Sequence, residues 1–153
     1  MRRSVIIVAA VALASCLSAN DSTLPPDEPS DPATETFIGF NPPINISQMT
    51  KTALGDYYQN VKIGSGPALQ GPQTVVFSYV AYLKTGSIVD QQIAILHDLN
   101  TVVRGLQDGM IGMQAGAERI VVVPSALAFG RVPQLGIPAN STIVYDVILN
   151  QIP

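Results

Sequence analysis

The chain has 153 residues, 47% of them hydrophobic and 12% charged, enough for one core of ordinary size plus appendages. With a formal net charge of −3, a pI near 4.8 and no basic run beyond Arg2 and Arg3, it lacks the electrostatic footprint of a nucleic-acid-binding protein. One His and one Cys supply no metal-ligand set, and neither a phosphate loop nor a nucleophile triad is present, so no cofactor is expected.

The first residues carry an address. Arg2 and Arg3 precede an apolar run over 4–14, and Leu13-Ala14-Ser15-Cys16 matches the site where a lipoprotein signal peptidase cuts before a cysteine. On this reading residues 1–15 are a signal peptide and Cys16 becomes the acylated first residue. Acyl chains then anchor the protein at about 0.8 kcal/mol per buried methylene. Two other fates compete: secretion after a cut at Ala19, where Leu17 is a poor small-residue match, and a retained anchor. The run over 5–17 is short of the roughly 20 apolar residues that a helical span needs.

Residues 16–36 read as a disordered tether. Pro25, Pro26, Pro29 and Pro32 alternate with Asp21, Asp27, Glu28, Asp31 and Glu35, leaving almost nothing apolar to bury. At about 3.1 Å per residue, such a Pro-rich stretch spans at most about 60 Å. Without Arg2, Arg3 and those five acids, the remainder carries six acids and six bases, so steering by net charge is not expected. In residues 37–56, Phe37, Ile38, Phe40, Ile44, Ile46 and Met49 surround Pro42-Pro43 and predict an irregular apolar strap lying on the domain.

Residues 57–153 read as the domain itself. Period-2 alternation predicts strands over 57–63 and 74–84, the second apolar on both faces and therefore central. Thr85-Gly86-Ser87 predicts a tight turn into a short strand over 88–90, and 93–96 predicts another. Val103, Leu106 and Met110 at i, i+3 and i+7 predict one short helix, weakened by Gly105, Gly109 and Gly112 at up to about 1 kcal/mol each. Residues 119–123 and 142–149 are the last strands, joined by a Gly- and Pro-rich loop. One short helix packed on an antiparallel sheet is an α+β architecture.

In order along the chain, R-G-L-Q-D-G-M-x-G-M from Arg104, then R-I-V-V-V-P-S-A-L-A-F-G from Arg119 and G-I-P-A-N-S-T-I-V-Y-D-V-I-L from Gly136 resemble the second half of the FKBP-type peptidyl-prolyl cis-trans isomerases. Residues 57–90 resemble the first half. The resemblance implies a curved antiparallel β-sheet wrapped on one short helix, with an apolar hollow between them that takes a proline side chain. It implies isomerase activity on proline-containing, unfolded or partly folded polypeptides, in a monomer.

Carried over position by position, it implies that Tyr79, Asp90, Val103 and Phe129 serve catalysis and that Val89, Ile93, Val102, Leu106, Ile137 and Tyr145 line the substrate site. Ile93 and Ile95 take the two aromatic positions of the intervening strand. Where the family usually has Phe, Trp and Tyr, this chain has Val89, Leu106 and Phe129, so the hollow is wider and lacks one hydroxyl. That favours weak turnover, or a non-catalytic holdase on the same scaffold. Tyr79 and Tyr145 also read as plain core aromatics, and His97-Asp98 as a loop pair with no nucleophile to serve. For a lipoprotein of this kind, Leu17 after the acylated cysteine implies the outer membrane, facing the periplasm.

Overall fold

The computed structural model describes residues 28–153; the signal segment, Cys16 and the first part of the tether lie outside the described residues. Six antiparallel strands form the main sheet: β1 (Thr50–Lys51), β2 (Tyr57–Lys62), β4 (Thr74–Leu83), β5 (Ile88–Asp98), β7 (Glu118–Val123) and β8 (Ile143–Gln151). Their spatial order is β1-β2-β7-β8-β4-β5. A second, two-stranded sheet pairs β3 (Ser65–Ala68) with β6 (Gln114–Ala115), where the turn signal of Gly64-Ser65-Gly66-Pro67 conceals a strand. The one α-helix among the described residues, α1 (Arg104–Met110), lies on one face of the main sheet. The α+β architecture read from the sequence is therefore the observed one.

Alternation decides which side chain meets which layer. Phe77 and Ala81 of β4, Val121 and Val123 of β7, and Tyr145, Val147 and Leu149 of β8 point to the helix face and enclose Leu106, Met110 and Met113. The helix sits unusually close to β7 because Gly105 and Gly109, one turn apart, face it. An added Cβ at Gly105 would stand 2.3 Å from Val123 Cγ1, and one at Gly109 2.3 Å from Val121 Cγ1. Both valines are fully buried and have nowhere to move. The two glycines thus trade helix propensity for a close helix–sheet approach. Gly105→Ala is expected to cost about 2 kcal/mol through overpacking, outweighing the propensity gained. A urea-denaturation cycle with Val123→Ala should return part of that loss.

The opposite face carries the strap. Phe37, Phe40, Ile44, Ile46 and Met49 pack on Tyr57, Val122 and Val144, and Phe40 meets Tyr82 edge to face with ring centroids 5.5 Å apart. Ile38 N–H donates to the Lys84 carbonyl at 2.9 Å, and Lys84 pairs with Glu35 at 2.8 Å. Gly86, at φ +78°, forms the hairpin turn against which the strap rests; its Cβ would lie 2.9 Å from the Ile38 carbonyl. The strap ends in a buried acid. Asp56 Oδ1 accepts from Thr52 Oγ1 at 2.6 Å, and the Asp56 carbonyl closes the turn by accepting the Thr52 N–H at 2.8 Å.

Burial above all, and secondarily the nearby Asp108 carboxylate on α1, pushes the Asp56 carboxyl up to about 6, against the pull of the Thr52 hydroxyl. The fold therefore favours the neutral acid. Its contribution is complete below about pH 4 and is lost as the pH rises through about 6. Urea unfolding should show a more stable domain at pH 5 than at pH 7.5, by at most about 1.4 kcal/mol, and Asp56→Asn should flatten that difference. An unchanged pH slope in the Asn variant would overturn the assignment to Asp56.

The tether differs from its sequence reading over its last residues. Among residues 28–36, Pro32 is buried and opens a 3-10 turn (Pro32–Thr34) capped by Asp31. Ser30 exchanges two hydrogen bonds with Ser125: its N–H donates to Ser125 Oγ at 2.9 Å, and Ser125 N–H donates to Ser30 Oγ at 2.8 Å. Thr142 Oγ1 donates to the same Ser30 oxygen. These bonds pin residues 28–36 to the domain, so composition alone overstated where disorder ends.

Candidate functional site

The strand β4 places Tyr79 between β8 and β5, on the helix side. Its ring meets Tyr145 edge to face at 5.9 Å and stacks on Phe77 at 5.7 Å. Across the β4–β5 hairpin the Tyr79 hydroxyl donates to Asp90 Oδ2 at 2.5 Å, while Asp90 Oδ1 accepts the Gln91 N–H at 2.8 Å. Burial first, and then this carboxylate, pushes the Tyr79 phenol up; burial, then Tyr79 and Asp90, does the same to Tyr145. Both phenols stay protonated in neutral solution. Asp90 therefore serves as an orienting acceptor for the Tyr79 hydroxyl.

Around these rings the chain gathers the rest of the apolar set. Leu106, Tyr145 and Ile137 are buried at 2%, 5% and 7% exposure, and Tyr79, Val89, Val102, Val103 and Phe129 pack against the same cluster while staying partly exposed. Nine of the ten protein-contact positions named from the sequence thus share one region, Asp90 through its bond to Tyr79. Val103 is the N-cap residue of α1, and no acceptor among the described residues takes its N–H.

Ile93 is the exception. Tyr79 pairs with Gln92 and Phe77 with Ile95, so three steps on β5 answer two on β4, and the extra residue makes a bulge. Ala94 takes φ +48°, its N–H donates to Ser78 Oγ at 2.9 Å, and Ile93 is turned to the other face at 85% exposure. The sequence placed Ile93 in the substrate site; the bulge removes it and leaves Ile95 there. The bulge also joins the two short strands expected over 88–90 and 93–96 into one. His97 lies on β5 rather than in a loop, with Nε2 2.8 Å from Thr101 Oγ1, while Asp98 caps the following turn. They form no catalytic pair.

Three parts of the site went unread in the sequence. Leu127 and Ala128 join the cluster beside Phe129. The loop carrying Phe129 is braced by Gly130 N–H on the Ser125 carbonyl at 2.8 Å, Asn140 N–H on the Gly130 carbonyl at 2.7 Å, and Ser30 at its base. Arg119, 5% exposed, supports α1 from below: Nη1 donates to the Gly109 and Ile111 carbonyls at 2.6 and 2.9 Å, Nε to Asn60 Oδ1 at 2.8 Å, and the guanidinium covers the Tyr58 ring at 4.2 Å. Its signal was available. Alternation puts Arg119 on the same face as Val121 and Val123, where a charge needs partners.

Comparison with known proteins agrees with this geometry. The family model described as FKBP-type peptidyl-prolyl cis-trans isomerase matches residues 66–150. A curated relative, FK506-binding protein 4 of Mycosarcoma maydis, is 36% identical over 128 residues, covering 79% of this chain. The chain spans only 34% of that relative's length. Among solved structures, FkpA from Escherichia coli superposes with a TM-score of 0.62 at 33% identity, covering 67% of this chain and 50% of that one. A peptidyl-prolyl cis-trans isomerase from Pseudomonas syringae pv. tomato gives a TM-score of 0.63 at 26% identity, covering 67% and 78%.

Proposed function

This chain belongs to the FKBP-type peptidyl-prolyl cis-trans isomerase family, and we propose that it turns X–Pro bonds of partly folded, secreted polypeptides at the Tyr79 cluster. The observation that carries the proposal is the meeting of Tyr79, Leu106, Phe129 and Tyr145 around one oriented polar group, the Asp90-bound hydroxyl. Rotation about an X–Pro bond faces a barrier of about 18–20 kcal/mol because amide resonance must be broken. The planar amide carries more charge separation than the twisted one, so an apolar surface that strips water disfavours the ground state more. Val103 N–H supports the reading as a donor to the substrate carbonyl. Binding the twisted form better than the planar one lowers the barrier without any covalent step.

The relevant test is refolding of a client whose slow phase is a proline isomerisation. Catalytic amounts of the protein should speed that phase, and Asp90→Leu should remove most of the acceleration without unfolding the domain. The replacement of usual aromatics by Val89, Leu106 and Phe129 favours a second reading, a holdase that grips the same segments. Suppressed aggregation of the client with no faster slow phase would select it.

We further propose that the protein is lipid-anchored at Cys16 in the cell envelope, on the outer membrane facing the periplasm, as a monomer. The sequence of residues 1–17 supports this; among the described residues no helix is long and apolar enough to cross a membrane. Cys16→Ser should move the protein from the membrane fraction to the soluble one, and unchanged partitioning would contradict the anchor.

A further inference from the structure

The strap covers only part of the sheet face turned away from α1. It shields Val122, Val144 and Tyr82, which stand side by side across β7, β8 and β4. Of the next two rows, Ile120-Asp146-Val80 and Glu118-Ile148-Ser78, only Ile120 packs on the strap-covered cluster. Two hollows lie over these rows. One, of about 540 Å³, runs between the sheet and Phe40, Pro42, Pro43 and Ile44 of the strap; the other, of about 290 Å³, lies toward the bulge at Ile93. Asp146 lines both, so a ligand that reaches from one to the other passes this carboxylate; together the two hollows form the groove considered below. The strap wall lies outside residues 66–150, the part matched by the family model.

The groove combines apolar walls with unmatched negative charge. Ile148 and Ile93 are 39% and 85% exposed, and Val61 on the neighbouring strand is 57% exposed. Asp146 Oδ1 is buried yet accepts no hydrogen bond from any described residue, a cost that a bound donor would relieve. Burial, then the Glu118 carboxylate beside it, raises the Asp146 pKa, which marks two acids facing one space. Lys62 stands opposite Glu118 in the β2–β7 register, but the one ion pair among the described residues is Lys84 with Glu35.

We propose that this groove binds an extended, proline-free stretch of a client polypeptide, whose Lys or Arg side chain donates to Asp146 while flanking aliphatic residues pack on Ile120, Val80 and Ile148. A ligand that fills both hollows at once must extend past Asp146 along the neighbouring rows, which suits a chain over a compact ligand, and the carboxylates of Asp146 and Glu118 select a cationic side chain. Tyr79 also borders the smaller hollow, but its ring packs on the opposite face against Tyr145 and Phe77, so this grip does not depend on the isomerase reading.

A short labelled peptide carrying one Arg among Ile and Leu residues provides the test, followed by fluorescence anisotropy and by methyl NMR of the full protein. Binding should weaken about tenfold or more when the Arg is replaced by citrulline or Glu, and by as much in Asp146→Asn. Methyl shifts in the unsubstituted protein should centre on Val80, Ile120 and Ile148. Should Asp146→Asn fail to fold, Ile148→Ser on the exposed surface carries the same expectation. Equal binding of the Arg and citrulline peptides, shifts centred on Leu106, no binding at millimolar peptide, or equal affinity for a simple alkylguanidinium would each overturn the proposal.

Discussion

Replacing Arg119 by Met should lower the unfolding free energy by about 3–5 kcal/mol, since it strips the donor from three acceptors at about 1–3 kcal/mol each. The side chain is 5% exposed and holds three acceptors at once: Asn60 Oδ1 and the carbonyls of Gly109 and Ile111. The two carbonyls belong to the end of a seven-residue helix that is too short to persist without tertiary support. Met would fill the space over Tyr58 but would leave those acceptors in a dry environment, each lacking a donor. Because the same helix carries Leu106 and begins at Val103, the loss should reach the Tyr79 cluster as well. Urea unfolding measures the first effect. A loss below about 1 kcal/mol would show that water or a rearranged Asn60 replaces the guanidinium.

Phe129→Ala should cut kcat/KM for a Leu-Pro peptide by about 20- to 100-fold, roughly 2–3 kcal/mol of transition-state binding. Phe129 is partly exposed in a loop, yet it packs on the buried cluster, and its loop is braced independently by Ser125, Asn140 and Ser30. Truncation should therefore spare the fold while removing one wall against the prolyl ring. The complementary change, Phe129→Tyr, adds the hydroxyl that the usual family residue would offer and should raise the rate. A melting temperature unchanged within a few degrees separates the catalytic effect from unfolding. Loss of rate only in step with loss of folded protein would make Phe129 a structural residue.

The sequence conveyed what is local and periodic. Strands β2, β4, β7 and β8 follow from alternation, and α1 from the spacing of Leu106 and Met110 with Val103 at its start. The positions of Tyr79, Asp90, Leu106, Phe129, Ile137 and Tyr145 came from the resemblance; the five apolar and aromatic ones belong to the hydrophobic cluster under α1, and Asp90 bonds Tyr79. What stayed hidden depends on partners far along the chain. Ser30 is 95 residues from Ser125, so a Pro- and acid-rich stretch looked free although two hydrogen bonds hold it. The Ile93 bulge arises from a one-residue mismatch between β4 and β5, which neither strand displays alone. Nothing in the sequence singles out Asp56, and only the fold brings it beneath α1 and Asp108.

The central claim is that one apolar cluster, oriented by the Tyr79–Asp90 hydrogen bond, receives a prolyl ring and speeds its rotation. Exchange NMR on a Leu-Pro peptide mixed with the purified protein tests it most directly, since cis–trans exchange and the contacted residues are read in one sample. Cross-peaks from accelerated exchange should appear together with shifts at Leu106, Val103 and Ile137, and both should vanish in Tyr79→Leu. Peptide bound at those residues with exchange no faster than in free solution would contradict catalysis, and accelerated exchange with shifts confined to the strap-covered face would contradict the site.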